Sequence, residues 1–359
     1  MTEHEPHTRP TPGVWLLLGH KAGDNNQVLA LAEALGWPWD EKRIAYRPWE
    51  LLSNRLLGAT LCGIDRRASS PLVPPWPELV ISSGRRNEPV ARWLRRQAPG
   101  LRIVHVGRPW APLDEFDLIV TTPQYSLPAR PNVLENELPM HRLQHARLAA
   151  EAERWRPRLA QLPAPRIAVL LGGNSGAYIF TPEKARRLGR LVNGLARSQG
   201  GSVMVTDSAR TPPGVMEAFL AEVDVAAHCH RWGGPRGDNP YLGYLGLADQ
   251  FVVTADSMSM VAEALFCARP LYLFSLDDGP DWWRRGYNYV FRALSHRLAM
   301  RFGPRRMRRD VQRITGGLVA EGRAAWLGEG APPAAAGPAP DEARRAALAV
   351  AALFARAGA

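Results

Sequence analysis

Short apolar runs, each closed by glycine or small polar residues, alternate along this chain with longer stretches whose apolar positions recur at helical spacing. The runs Val14–Gly19, Lys42–Tyr46, Glu78–Gly84, Leu101–Gly107 and Phe116–Thr122 predict strands. "NQVLALAEALG", stopping at Gly36, and "NEPVARWLRRQAPG" predict helices between them. A charged helix near His141–Trp155 and the linker "QLPAPR" come next, and then the alternation restarts. Its strands are Arg166–Gly173, "SVMVTDS", "FVVTAD" and "RPLYLFSL". Its helices are "TPEKARRLGRLVNGLARSQGG", "PGVMEAFLAEV" and "SMVAEALFCA", the first with Thr181 as N-cap and Pro182 in the first turn. Repeated strand–helix alternation implies an α/β fold of two doubly wound, parallel-sheet, Rossmann-like domains facing a cleft. The expected division is a disordered tail (1–12), a first domain (13–160), a second (161–330), a low-complexity linker (331–340) and a final helix (341–357).

A length of 359 residues suits two such domains. The net charge of +11 comes from arginine, because Lys21, Lys42 and Lys184 are the only lysines. Clustered arginine attracts phosphates or an anionic membrane surface, although a GC-rich genome accounts for the bias equally well. No apolar run reaches membrane-spanning length and the first residues lack a secretory apolar region, so the expected location is cytoplasmic, with a peripheral contact at the inner membrane face left open. Cys62, Cys229 and Cys267 form no C-x-x-C pair and read as reduced thiols.

Ligands of open α/β sheets bind at the carboxyl ends of strands, so the chemistry is sought there. "VVTADSMSMVAEAL" (Val252–Leu265) turns from strand to helix through an acid and two serines. Ser257 and Ser259 expose hydroxyls beside helix N–H groups, where a phosphate sits, and Asp256 caps the helix or orients the serines. Glu263, one turn beyond Ser259, is placed to accept ribose hydroxyls. In "LLGGNSGAYIF", Gly172, Gly173 and Gly176 let backbone approach a ligand while Asn174 and Ser175 donate, although a plain tight turn explains the glycines too. Ser208, Arg210 and Thr211 suit an anion, with Arg210 as the charged fork. Asp238, Asn239 and Pro240 precede a short helix that Asn239 would cap. In the first half, "GHKAGDNNQ" gathers Lys21, Asn25 and Gln27 with two candidate general bases, Asp24 and His20, and "SSGRRNEP" adds Gly84, Arg85 and Arg86.

Several chemistries are excluded or disfavoured. No lysine follows a glycine, so the G-x-x-x-x-G-K-[ST] phosphate loop is absent. No tyrosine stands four residues before a lysine, which argues against nicotinamide-dependent epimerisation. "HCH" (His228–His230) and the Asp277–Asp278 pair are weak metal candidates, and no metal or cofactor is expected. The segment Asp281–Asp310 sets tryptophans beside arginines ahead of a helix with apolar positions, as a peripheral membrane contact or an aromatic interdomain core would. No RNP-type sequence supports nucleic-acid binding.

In the order "GHKAGDNNQ", "LVISSGRR", "GRPWAPLDEFDLIVTTPQ", "LLGGNSGAY", "SARTPP", "GDNPYLGYLGLAD" and "VVTADSMSMVAEAL", the chain resembles the mitochondrial fission proteins of plants and their bacterial relatives. That family looks like the two-domain GT-B glycosyltransferases, which hold donor nucleotide in the C-terminal domain and acceptor in the N-terminal one. The resemblance implies a transferase using a nucleotide-sugar and an acceptor not identified from sequence, a saccharide or envelope lipid being candidates. Gly172, Gly173, Asn174, Ser175, Ser208, Arg210, Thr211, Asn239, Asp256, Ser257, Ser259, Met260 and Glu263 would face the donor. Lys21, Asn25, Gln27, Gly84 and Arg85 would face the acceptor. A non-catalytic scaffold acting through protein partners and a GT-B-type nucleotide-sugar epimerase remain alternatives.

Overall fold

Apolar runs buried on both faces become the interior strands of two all-parallel sheets, as strands covered by helices on both sides must. The computed structural model describes residues 11–47, 54–176, 178–234, 239–279, 301–302, 308–329 and 340–355. Contacts divide the chain into two units, one comprising the residues up to Asn136 together with those from Asp341 onward, the other Glu137–Pro340.

The first unit runs β1 (Val14–Leu18), α1 (Ala22–Leu35), β2 (Trp39–Arg43), α2 (Asn54–Leu57), β3 (Leu79–Ser83), α3 (Glu88–Gln97), β4 (Arg102–Val106), β5 (Leu118–Thr121) and β6 (Val133–Glu135). Its sheet order is β2-β1-β3-β4-β5-β6, so the winding reverses between β1 and β3. The second unit runs α4 (His145–Trp155), β7 (Arg166–Leu170), α5 (Pro182–Ser198), β8 (Ser202–Thr206), α6 (Val215–Leu220), β9 (Ala227–His230), α7 (Tyr241–Leu247), β10 (Gln250–Thr254), α8 (Met258–Phe266), β11 (Leu271–Phe274), α9 (Gln312–Ala320) and β12 (Ala325–Trp326). Its order, β12-β11-β10-β7-β8-β9, reverses between β7 and β10. That is the arrangement in which the crevice outside the strand ends accepts a nucleotide.

Four expectations need correction. β2 lies at Trp39–Arg43 rather than Lys42–Tyr46, because it is an edge strand of exposed, charged residues whose place is set by pairing with β1. α1 starts at Ala22, which takes Asp24–Gln27 out of the loop and into the first helical turns. α4 belongs to the second unit rather than the first, where Leu148, Ala152 and Trp155 join its core; a Cβ on Gly243 of α7 would come within 2.5 Å of the Trp155 ring. The last helix, α10 (Glu342–Ala355), covers the first unit instead of standing apart. Phe354 meets Trp37 edge-on at 5.2 Å, Asn136 donates to the Glu342 carbonyl at the helix start, and Arg345 of the helix donates to the Glu135 carbonyl of β6. The tail, the linker and most of Asp281–Asp310, with its expected membrane contact, lie outside the described residues. Among the described residues no helix is long and apolar enough to cross a membrane.

Candidate functional site

At the winding reversal of the second unit, the loops after β7, β8 and β10 press together. The backbone after β7 passes so close to its neighbours that a Cβ on Gly172 would stand 2.6 Å from Asp256 Oδ2 and one on Gly173 2.5 Å from the Thr211 nitrogen. These glycines therefore admit the protein's own atoms, not a ligand, over their Cα positions. Their N–H groups are also occupied, Gly172 donating to Thr254 Oγ1 (2.7 Å) and Gly173 to Asp256 Oδ2 (3.0 Å). Gly176, at φ +63°, supports a turn.

The hydroxyls after β8 are likewise engaged. Ser208 Oγ and Thr211 Oγ1 both donate to the Gly172 carbonyl, and Thr211 Oγ1 accepts the Ser208 N–H at 2.9 Å. Asn174 donates its N–H to the Arg210 carbonyl at 3.1 Å and accepts the Phe180 N–H at 2.9 Å. These three residues brace the loops. Arg210 keeps its side chain 42 % exposed while holding the Asn174 carbonyl (3.3 Å) and Asp256 Oδ2 (3.2 Å).

Asp256 is fully buried and does not cap α8, as one reading of the sequence had it; it grips Gly173 instead. Its second oxygen, Oδ1, has no hydrogen-bond partner, a costly condition for a buried carboxylate unless something else fills it. Ser257, at the N-cap position of α8, makes no capping bond with its side chain, so the first-turn N–H groups are not satisfied by their own cap. Arg309 completes the cluster. It donates to Ser175 Oγ and to the Asp256 carbonyl (2.8 Å), which brings a second guanidinium to the start of α8. Sequence reading met Arg309 only within a basic run, with nothing to separate it from its neighbours.

Further along α8, Tyr241 of α7 donates its hydroxyl to Glu263 Oε2. Burial pushes the Glu263 carboxyl up to about 7, with the Tyr241 hydrogen bond pulling the other way, and the tyrosine itself is raised well above its ordinary value. Ser259 and Met260 are half-buried on the same helix. Asn239 accepts the Tyr241 N–H at 3.0 Å, consistent with a role in starting α7, while Asp238 lies outside the described residues.

At the reversal of the first unit, Asn25 ties both the N–H and the carbonyl of Gly19 at 2.9 Å, so its amide is structural. Lys21 stands at the N-cap of α1 and Gln27 is half-buried. Gly84 adopts φ +75°, with Asp24 Oδ2 3.3 Å from where a Cβ would be. His20 lies edge-on to Tyr46; partial burial, then Arg86 and Lys21, hold its imidazole below its ordinary value, opposed by Asp24. His20, Asp24, Gly84 and Arg86 thus share one place. Arg85 reaches instead toward Trp110, 5.1 Å from the ring centre.

Beneath them lies a network not anticipated from sequence. Fully buried Glu88 accepts the N–H groups of Trp110 (2.8 Å) and Ala111 (2.7 Å) and the Asn54 amide (2.8 Å). Burial raises its carboxyl to about 7 against those bonds. Burial also lowers neighbouring His105 to about 3, which leaves that ring neutral and bonded to Ser82.

The weak metal candidates take other parts. "HCH" lies wholly in edge strand β9, where His228 bonds the Tyr244 hydroxyl, and Asp278 pairs with Lys184 at 2.8 Å. Among the described residues no group of three or more His, Cys, Asp or Glu is placed to hold a metal ion.

A family model described as "Mitochondrial fission ELM1" matches residues 22–351. The mitochondrial fission protein ELM1 of Arabidopsis thaliana is 28% identical over 246 residues, covering 62% of this chain and 57% of the plant protein. The match therefore spans little more than half the length of that relative. An uncharacterized protein of Rickettsia prowazekii (strain Madrid E) is 25% identical over 301 residues, covering 73% of this chain and 82% of its own. Among solved structures, UDP-GlcNAc 2-epimerase from Neisseria meningitidis bound to UDP-GlcNAc aligns with a TM-score of 0.47 and 11% identity, over 96% of this chain and 100% of that one.

Proposed function

We propose that this chain, which belongs to the mitochondrial fission ELM1 family, binds a nucleoside-diphosphate sugar at the winding reversal of its second unit and transfers the sugar to an acceptor, in the manner of a GT-B glycosyltransferase. The observation that carries the reading is the start of α8. A helix without a side-chain cap stands there with Arg210 and Arg309 converging on it, beside a buried carboxylate with one unused oxygen. Two guanidinium groups and a helix N-terminus outweigh the single charge of Asp256, so the place favours a diphosphate. Ser257 and Ser259 add hydroxyl donors. One turn on, Glu263 spends one oxygen on Tyr241 and keeps Oε1 for ribose hydroxyls.

The same groups serve the chemistry. An acceptor hydroxyl attacks the anomeric carbon, the bond from that carbon to the diphosphate oxygen breaks, and the electron pair leaves with the nucleotide. Arg210, Arg309 and the α8 dipole stabilise the charge that develops on the leaving group, without calling for a metal ion. The acceptor proton passes to Asp24 or His20, which we assign to the acceptor because they meet at the other reversal.

Thermal unfolding against a panel of UDP-, GDP-, CMP- and ADP-sugars tests the reading. One nucleotide at about a hundred times its dissociation constant should add roughly 2.7 kcal/mol, and the gain should vanish in Ser257→Ala/Glu263→Ala. No shift with any of them would sink the nucleotide-sugar reading and leave a scaffold acting through protein partners. Donor turnover that yields an epimerised sugar would replace transfer with epimerisation.

A further inference from the structure

Ser82 of β3 and His105 of β4 stand directly opposite each other in the parallel ladder and send their side chains to the same face of the first sheet. Ser82 Oγ lies 3.0 Å from His105 Nδ1, and both residues are fully buried. Glu88, in the first turn of α3, is buried as well and brings its Oε1 to 3.9 Å from His105 Nε2. Among the described residues Nε2 has no hydrogen-bond partner. A buried nitrogen in that state is costly unless a proton can join it to the carboxyl beside it. The transfer mechanism above makes no use of this row of three.

The two oxygens of Glu88 are not equivalent. Oε2 accepts the Ala111 N–H (2.7 Å) and the Asn54 amide (2.8 Å), which also donates to the Arg85 carbonyl. Oε1 accepts the Trp110 N–H (2.8 Å) and faces the His105 ring, so a proton belongs on Oε1. Burial raises the carboxyl to about 7, while the Trp110, Asn54 and Ala111 donors and the Arg85 guanidinium pull it down. Arg92, one turn on, is ion-paired with Glu115. His105, packed against Phe116, is kept neutral by burial, which leaves Glu88 to titrate near neutrality. Donors that lower a carboxyl bind its ionised form more tightly than its protonated form.

We propose that Glu88 and His105 share one proton, and that its place sets the position of the loop after β4 (107–111). With Glu88 ionised, Ser82 donates its hydroxyl to Nδ1, Nε2 carries the ring proton, and both carboxyl oxygens hold the loop. On acidification the ring proton passes from Nε2 to Oε1 and a proton from solvent arrives at Nδ1, which then donates to Ser82. One proton is gained in all, and the ring stays neutral. The new Oε1–H donates to Nε2, which draws the two atoms together to roughly 2.7–3.0 Å and loosens the hold of Oε1 on Trp110. The Trp110 ring centre lies 5.1 Å from the Arg85 guanidinium carbon and 5.2 Å from that of Arg108, so the shift reaches the surface at the carboxyl ends of β3 and β4. The inference stands apart from the transferase reading.

NMR of the full chain labelled with nitrogen-15 tryptophan and histidine, titrated from about pH 5.5 to 8.5, tests this. The ring nitrogens of His105, identified by their loss in His105→Gln, should report the Nε2–H tautomer at high pH and the Nδ1–H tautomer at low pH, with a midpoint near 7. The Trp110 amide proton, identified by its loss in Trp110→Phe, should move upfield on acidification with the same midpoint, because a carboxyl deshields its donor less than a carboxylate does. Glu88→Gln imitates the protonated form, so it should hold both signals at their low-pH positions throughout. A single His105 tautomer across the range overturns the proposal, as would follow if Asn54 took the proton instead. An imidazolium, a Trp110 amide that does not move, or a titration that survives Glu88→Gln overturns it too. If Glu88→Gln does not fold, the two signals of the unsubstituted protein decide alone. Nucleotide-sugar stabilisation, measured on the same preparations, reports on the transferase reading separately.

Discussion

The two winding reversals are built on one topology and finished differently. In the first unit, side-chain amides consume the backbone groups at the strand ends: Asn25 takes both polar atoms of Gly19, and Asn87 donates to the carbonyls of Leu17 and Ser83. What faces outward there is a layer of arginines resting on aromatic rings. In the second unit the loops brace one another through Ser208, Thr211 and Asn174, yet the centre stays unfinished, with an uncapped helix start and a buried carboxylate oxygen lacking a partner. One reversal is closed by its own side chains, and the other keeps a helix start without a side-chain cap and a carboxylate oxygen without a partner.

The contrast can be broken most forcefully at glycine. Gly173→Ala sets a methyl against the backbone of Thr211 and should cost about 3 kcal/mol or more in urea unfolding. Gly84→Ala meets only the far end of Asp24 and should cost roughly 1–2 kcal/mol, from its left-handed φ. Equal costs would mean that the second reversal is no more tightly built than the first. Glu88→Gln comes next. An amide there turns an NH2 toward N–H donors and should cost about 1–3 kcal/mol, whereas Glu263→Gln keeps a carbonyl for Tyr241 and should cost less.

The smallest effect is the dependence on pH. Glu263 is raised from 4.5 to about 7, so the folded state retains a proton that the unfolded chain has already lost. Its contribution to stability is full below about 4.5 and is lost as pH rises through 7. On the proposed reading ligand binding runs the other way, because an ionised Glu263 would be the better acceptor for ribose hydroxyls. Nucleotide affinity should rise several-fold between about pH 6 and 8, and Glu263→Gln should flatten the profile.

Interior strands were legible in the sequence and edge strands were not. β1, β3, β4, β5, β7, β8, β10 and β11 are flanked on both sides and are therefore built around apolar runs. β2, β6, β9 and β12 are the four sheet edges; each is short or polar and owes its strand form to one neighbour, so local pattern cannot reveal it. The site divides along a similar line. The Asp256–Glu263 junction was readable because a strand and its helix are contiguous there. Arg309 reaches Ser175 across 134 positions, and Glu88 looks from sequence like an ordinary acid in a first helical turn. Long-range pairing also decided which hydroxyls were already engaged, and so moved Ser208 and Thr211 from ligand contacts to braces.

The chain's path has a consequence for its synthesis. Glu137–Pro340 forms one unit inside the span of the other, whose last helix, α10, begins only at Glu342. A chain leaving the ribosome therefore exposes the whole second unit while the first still lacks the helix that buries Ala346, Ala347 and Val350 against it. Of these two units, the one begun first is completed after the other, and its apolar wall beside Trp37 waits for α10.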